Sequence, residues 1–308
     1  MSISEIKALI DNKAEDLNKQ DNLADYVARK IDLINSYIDQ ETELSESQIE
    51  GMLSELVDFF TTSLHIPLDP GLKLLRARAY KTMHLESNVS QLSYIAEEHS
   101  DKASIGRLNE QGHPVYYGCI YFSGTGGVNV AFSESNSSLG DTVNVLRSEL
   151  NDAINVYYVG IYDHVRRQSK PRFMPEEMFR LFCEVNQYQE QKYTPSVFLA
   201  HILCDAFLSD ILRRKENGNL YKVTSKLLNI FTSDDTTDGI IYTSVKSEGD
   251  PVVALKTSTV DDKMVHKSCD CYRIVHDYGY ALYKAVHTHT GNIHSDNTVM
   301  WKSTYQTV

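Results

Sequence analysis

The chain has 308 residues, 42% of them hydrophobic and 23% charged, an ordinary balance for a globular protein whose core folds without metals or disulfides. Its net charge of -12 argues against non-specific affinity for nucleic acid or an anionic membrane unless a local basic patch compensates, but leaves room for a compact anionic ligand held by a few clustered arginines. No run approaches the roughly 18–20 apolar residues of a membrane span, the N-terminus lacks the basic and apolar parts of a secretion signal, and five scattered cysteines fit reduced thiols, so the expected location is cytoplasmic.

Residues 1–62 carry three apolar stripes at helical spacing. Ser2-Ile3-Ser4-Glu5 has the form of a capping box, with Ile6, Leu9 and Ile10 behind it. Leu23, Val27, Ile31, Ile34 and Ile38 make a second stripe, and a third opens at Ser47 and runs through Met52, Leu53, Leu56 and Phe60. Such faces are buried either on the following domain or on a partner. Pro67-Leu68-Asp69-Pro70-Gly71 then breaks the pattern, which sets an N-terminal helical region at 1–70.

Leu72 to Tyr80 alternates as a strand, with Arg76, Arg78 and Tyr80 on one face. Two arginines side by side repel unless an anion or carboxylates sit between them. Gly106 to Gly118 predicts a turn presenting Arg107 at its mouth, followed by a strand from Val115 to Phe122 that carries Tyr116 and Tyr117 and ends near Gly124. Gly124, Gly126 and Gly127 lack the spacing of a phosphate loop and read as a flexible turn; Glu134 lies beyond the apolar run Val128 to Phe132. Asn155 to Tyr162 reads as a buried strand, Pro175 and Thr194-Pro195 open helices, and strands follow from Gly239 and from Pro251, with Ser244 at the rim of the first. Strands and helices without regular βαβ alternation indicate an α+β fold.

Residues 263–308 are polar and are expected to add a small terminal strand or lid. His287, His289 and His294 lack the partners and spacing of a metal site, so no metal is expected, and Cys269 and Cys271 are too close together for a zinc knuckle. Arg166, Arg167, Arg213, Arg214 and Lys215 read as helix-end or surface charges.

An ordered set of these pieces resembles the RES domain family. It comprises Leu75-Arg76-Ala77-Arg78, Gly106-Arg107-Leu108-Asn109 with Pro114-Val115-Tyr116-Tyr117, Ala131 to Glu134, Tyr193-Thr194-Pro195, and Gly239-Ile240-Ile241-Tyr242-Thr243-Ser244. The resemblance spans roughly 72 to 262, within an expected domain at 71–262, and leaves out the helices before it and the extension at 263–308. It implies an ADP-ribosyltransferase-like mixed sheet with helices, and an enzyme that cleaves the nicotinamide–ribose bond of NAD with phosphate or water as acceptor. Such an enzyme acts as a bacterial toxin or defence effector, with an antitoxin or immunity protein as partner. NAD is then a substrate and no cofactor is needed.

Carried over by position, Arg76 or Arg78 is the first family arginine, Arg107 the second, Tyr117 the loop tyrosine, Glu134 the glutamate and Ser244 the serine. Arg78, Tyr80, Asn109 and Tyr116 complete the expected NAD-binding set. The glycine-rich stretch lengthens the usual gap before the glutamate. Cleavage develops positive charge on the ribose, which an adjacent carboxylate such as Glu134 stabilises. Guanidinium groups suit the diphosphate or an incoming phosphate, Tyr117 the nicotinamide ribose, and Ser244 the orientation of substrate or glutamate. ADP-ribosylation of a macromolecule, or an inactive nucleotide-binding module, is the alternative, and a homo-oligomer is left open.

Overall fold

The computed structural model describes residues 2–60, 65–121, 127–247 and 249–304. Phe122, Gly124 and Gly126, which belong to the expected strand end and glycine turn, lie outside them. Helices α1 (Ile3–Leu17), α2 (Leu23–Ile38) and α3 (Glu46–Phe60) come first. Ser2 and Glu5 cap each other's backbone N–H groups, satisfying donors that the first helical turn leaves without an intrahelical acceptor.

Strand β1 (Ile66–Leu68) follows, where the sequence predicts only a break. Pro67 is tolerated at its centre because β1 is the outermost strand and pairs only with β5, so a missing N–H removes no ladder bond. Next come β2 (Lys73–Tyr80), β3 (Tyr116–Ile120), α4 (Gly127–Glu134), β4 (Thr142–Leu150) and β5 (Ile154–Tyr158). Gly127, read from sequence as part of a flexible turn, opens α4 instead, and the apolar run behind it packs that helix across β2 and β3. Helices α5 (Ile161–Arg166), α6 (Glu176–Lys192), α7 (Pro195–Arg213), α8 (Leu220–Thr224) and α9 (Leu227–Phe231) lead to β6 (Gly239–Thr243), β7 (Pro251–Leu255) and α10 (Thr257–Lys263).

The polar stretch after 263 is larger than a small strand or lid: it supplies β8 (Met264–Gly279), β9 (Leu282–Ile293) and β10 (Val299–Ser303). Within β8 only Met264, Cys269, Asp270, Cys271 and Ile274 are buried, so a long sheet strand reads as polar surface. Among the described residues ten strands join one mixed sheet in the order β1-β5-β6-β7-β3-β2-β4-β8-β9-β10. The β5–β6 pair is parallel and the other neighbours are antiparallel.

Near its middle the sheet divides. β2 pairs with β4 over its whole length, and β3 with β7, but β2 and β3 meet only at Leu74–Ile120 and Leu75–Cys119. Beyond those pairs each strand follows its outer neighbour, and a split opens between two wings of the sheet.

The helical stripes bury within the same chain: α1 packs on α6, α2 and α3 on α7, and α3 also on α9. Val27, Ile34, Leu53 and Leu56 are all 0% exposed, and full burial of such a side chain stabilises by about 1.5–3 kcal/mol. By length and composition α7 could cross a membrane, but 56% of its apolar window is buried in the fold, where it packs against α2, α3 and β6. Its Asp205 carboxylate accepts the N–H groups of Gly160 (2.8 Å) and Tyr162 (3.1 Å), anchoring the start of α5.

Candidate functional site

The split in the sheet is where Arg76 goes. Its Nη1 donates to the Tyr117 carbonyl at 3.0 Å, and its guanidinium carbon lies 5.6 Å from the centre of the Tyr116 ring, which is itself fully buried. Tyr117 lies on β3 beyond the last β2–β3 pair, so the divergence of the two strands leaves its carbonyl to the guanidinium.

Arg107 is held from two directions. Its Nη1 donates to the carbonyls of Leu212 (2.9 Å) and Arg214 (3.0 Å), at the C-terminal end of α7, where carbonyls lack intrahelical partners. Its guanidinium carbon lies 5.4 Å from the centre of the Tyr221 ring on α8. The loop carrying it is pinned by Tyr117, whose hydroxyl donates to Asn109 Oδ1 (3.0 Å) and accepts the Leu108 N–H (2.9 Å). A Cβ at Gly106 would sit 2.3 Å from Asn109 Oδ1, so a larger residue there would displace the amide that Tyr117 holds. The Tyr117 hydroxyl therefore fixes the arginine loop, and it is the ring that lines the cavity.

Glu134 closes α4, and Ser244 follows β6 directly. The Ser244 Oγ accepts the backbone N–H groups of Lys246 (3.1 Å) and Ser247 (2.9 Å). With both lone pairs occupied its one proton has a single outlet, Glu134 Oε1, to which it donates. The direction of that bond is fixed, and the serine keeps no lone pair for attack on a substrate. Lys246 Nζ donates to the main-chain carbonyl of Glu134 at 2.8 Å, tying the loop after β6 to the end of α4.

Arg76, Arg107, Tyr117, Glu134, Tyr221, Tyr242 and Lys246 line one cavity of about 280 Å³, floored by Leu75, Cys119 and Val252. Burial pushes the Tyr117 phenol upward and Tyr116 to about 12; it drives Tyr242 and Cys119 well above their ordinary values, with the Glu134 charge adding to both. These groups stay neutral. Burial lowers Arg76, with Tyr116 and Tyr117 opposing, yet a guanidinium remains charged. Burial also lowers the Lys246 ammonium, with Glu134 opposing and Arg107 reinforcing the shift.

Among the described residues three cations thus face one carboxylate, in a chain of net charge -12. Among the described residues none of the three has a carboxylate partner, and the hydrogen bonds they make go to main-chain carbonyls. A larger hollow of about 920 Å³ lies among α1, α2, α3 and α7, but its lining sets Lys13 and Arg29 against Asp16, Asp21, Glu55 and Asp58, so carboxylates outnumber cations there. The smaller cavity is the better anion site.

Of the residues singled out from sequence, Arg76, Arg107, Tyr117 and Glu134 meet at this cavity, with Ser244 directly behind the carboxylate. Asn109 and Tyr116 support it from outside. Arg78 and Tyr80 are not among its lining: Arg78 donates to the Gln91 carbonyl at 2.6 Å and stands 4.0 Å from Glu86, to which Tyr80 also donates. Glu86 is thus the carboxylate that eases the crowding of Arg78 beside Arg76. Tyr221, Tyr242 and Lys246 were missed. Tyr242 and Lys246 flank Ser244 at two residues' distance and were within reach of an alternation argument; Tyr221, on a five-residue helix, left no signal. Compared with protein-family models, with characterised proteins and with solved structures, the chain has no match in any of the three.

Proposed function

We propose that this cavity binds NAD and cleaves its nicotinamide–ribose bond, passing the ADP-ribosyl group to phosphate or water. The observation that carries the reading is the charge arrangement: Arg76, Arg107 and Lys246, without carboxylate partners among the described residues, surround Glu134 in a chain that is otherwise strongly acidic. Such an arrangement suits a substrate that brings a diphosphate to the guanidiniums and a developing cation to the carboxylate.

In this mechanism Arg107 and Arg76 hold the diphosphate, and the Tyr221 and Tyr242 rings offer faces to the nicotinamide. As the C1′–N1 bond breaks, its electron pair passes to the pyridinium nitrogen and releases neutral nicotinamide. Positive charge builds on the ribose, and Glu134, oriented by Ser244, stabilises it. A cavity of about 280 Å³ is at the low end for a small-molecule site, which fits the nicotinamide riboside half inside and the adenosine half along the rim. The division of the sheet between β2 and β3, with the arginine at the split, supports an ADP-ribosyltransferase-like core. A cytoplasmic toxin or defence effector with a neutralising partner is the setting this activity implies.

The test is incubation of the purified chain with NAD, with and without phosphate, and quantification of nicotinamide. Release under at least one condition is expected; none under either overturns the reading. Transfer of label from NAD to a protein or nucleic acid would move the assignment to macromolecular ADP-ribosylation.

A further inference from the structure

We propose that Lys246 is the specificity-determining residue of this site: its ammonium holds an anionic acceptor, inorganic phosphate, beside the reacting carbon and so favours phosphorolysis over hydrolysis. The inference rests on the NAD-cleaving reading and adds the choice of acceptor to it.

Three observations carry it. The Lys246 Nζ spends one of its three donors on the Glu134 main-chain carbonyl at 2.8 Å, leaving two to point elsewhere. That bond stations the ammonium at the end of α4, beside the carboxylate that faces the ribose, whereas Arg76 and Arg107 enter from the β2–β3 split and from the end of α7. Among the described residues no carboxylate forms an ion pair with it: the Glu134 charge favours the ammonium from a distance, but the hydrogen bond goes to the main chain of Glu134 and not to its side chain. Ser244 links the two: its Oγ accepts the Lys246 N–H while its proton goes to Glu134, so ammonium and carboxylate keep a fixed relation.

The chemistry balances with phosphate as the named co-reactant. An oxygen of monohydrogen phosphate forms the bond to C1′ as the C1′–N1 bond breaks, and the electron pair of that bond neutralises the pyridinium nitrogen. The products are nicotinamide and ADP-ribose 1″-phosphate, and no proton has to move. With water as acceptor a proton must leave the oxygen, and among the described residues Glu134 is the carboxylate lining the cavity that can receive it. A cation beside the acceptor site lowers the repulsion between the incoming dianion and both the diphosphate and Glu134.

The experiment uses the full chain as wild type, Lys246→Met and Lys246→Arg. Binding of inorganic phosphate alone is measured by phosphorus NMR line broadening, and NAD turnover is followed across a phosphate titration with ADP-ribose and its 1″-phosphate separated chromatographically. The expected result is a tenfold or greater rise in both the phosphate Kd and the phosphate KM for Lys246→Met, a matching shift of the product ratio toward ADP-ribose, and recovery of most of both in Lys246→Arg. An unchanged phosphate Kd and product ratio in Lys246→Met, with overall turnover simply reduced, would mean that Lys246 only braces the end of α4, and would overturn the inference. Loss of phosphate binding in Lys246→Met, in a chain whose wild type releases no nicotinamide, would overturn the NAD reading while upholding Lys246 as a phosphate ligand.

Discussion

Ser244→Ala isolates the contact on which the site's alignment depends. The substitution removes the hydrogen bond from Oγ to Glu134 and strips the Lys246 and Ser247 N–H groups of their acceptor. A hydrogen bond to a charged group contributes about 1.5–3 kcal/mol, and a buried donor left unpaired costs about 1–3 kcal/mol. The Ser247 N–H belongs to a residue only 8% exposed, so water cannot fully replace the lost acceptor. The unfolding free energy should fall by about 2–4 kcal/mol. If the carboxylate loses its orientation as well, a transition-state loss of about 1.5–3 kcal/mol lowers kcat by roughly 10- to 150-fold. Ser244→Cys, nearly isosteric but a poorer donor, should fall between the two. Nicotinamide release under saturating NAD, with chemical denaturation of the same preparations, reads both quantities. A Ser244→Ala protein with kcat within twofold of wild type would refute the positioning role.

Arg107→Met removes the bonds to the Leu212 and Arg214 carbonyls together with the cation that in the proposed binding mode faces the diphosphate, so the KM for NAD should rise at least tenfold and hydrogen exchange at the end of α7 should accelerate. Unchanged exchange would break the link between the loop and the helix. His201 gives a pH-dependent prediction: its Nδ1 donates to the Phe59 carbonyl at 3.1 Å, and burial lowers its pKa from 6.5 to about 4. The unfolded chain therefore binds the proton more readily than the folded one, and the stability tied to His201 falls as pH drops from about 6.5 to about 4, by about 3 kcal/mol in all. Relative to wild type, His201→Leu should gain that amount on going from neutral pH to pH 4, measured by urea denaturation; a constant difference across this range would show that the imidazole does not titrate there.

Several elements were legible because local rules and tertiary packing agree. The capping box at Ser2 and the Thr194-Pro195 start of α7 use signals within one turn of chain, and the stripe from Leu23 to Ile38 repeats at the spacing of one turn. The strand β4 was invisible for the opposite reason. It carries Asn144 and Ser148 as buried residues, and they are tolerated because Asn144 bonds the His84 carbonyl at 2.8 Å and Ser148 the His266 ring at 2.8 Å, partners 60 and 118 residues away. The hairpin of β8 and β9 hid behind its polar outer face, and β1 behind Pro67.

At the site, residue types pointed to Arg107, Glu134 and Ser244, but nothing local separated Arg76 from Arg78. Their fates diverge through pairing: β2 parts from β3 after Leu75, which admits Arg76 into the split and leaves Arg78 to Gln91 and Glu86. Lys246 was missed because its importance comes from a main-chain carbonyl 112 residues earlier in the chain.

The central claim, that Arg76, Arg107, Glu134 and Ser244 serve one dinucleotide, is tested most directly by a crystal structure of Glu134→Gln with NAD, a variant that keeps the shape of the cavity and removes the charge needed for cleavage. The account predicts intact NAD with its diphosphate on Arg107 and Arg76 and the nicotinamide ribose beside position 134. NAD bound elsewhere on the chain, or no binding to a folded variant, would contradict it.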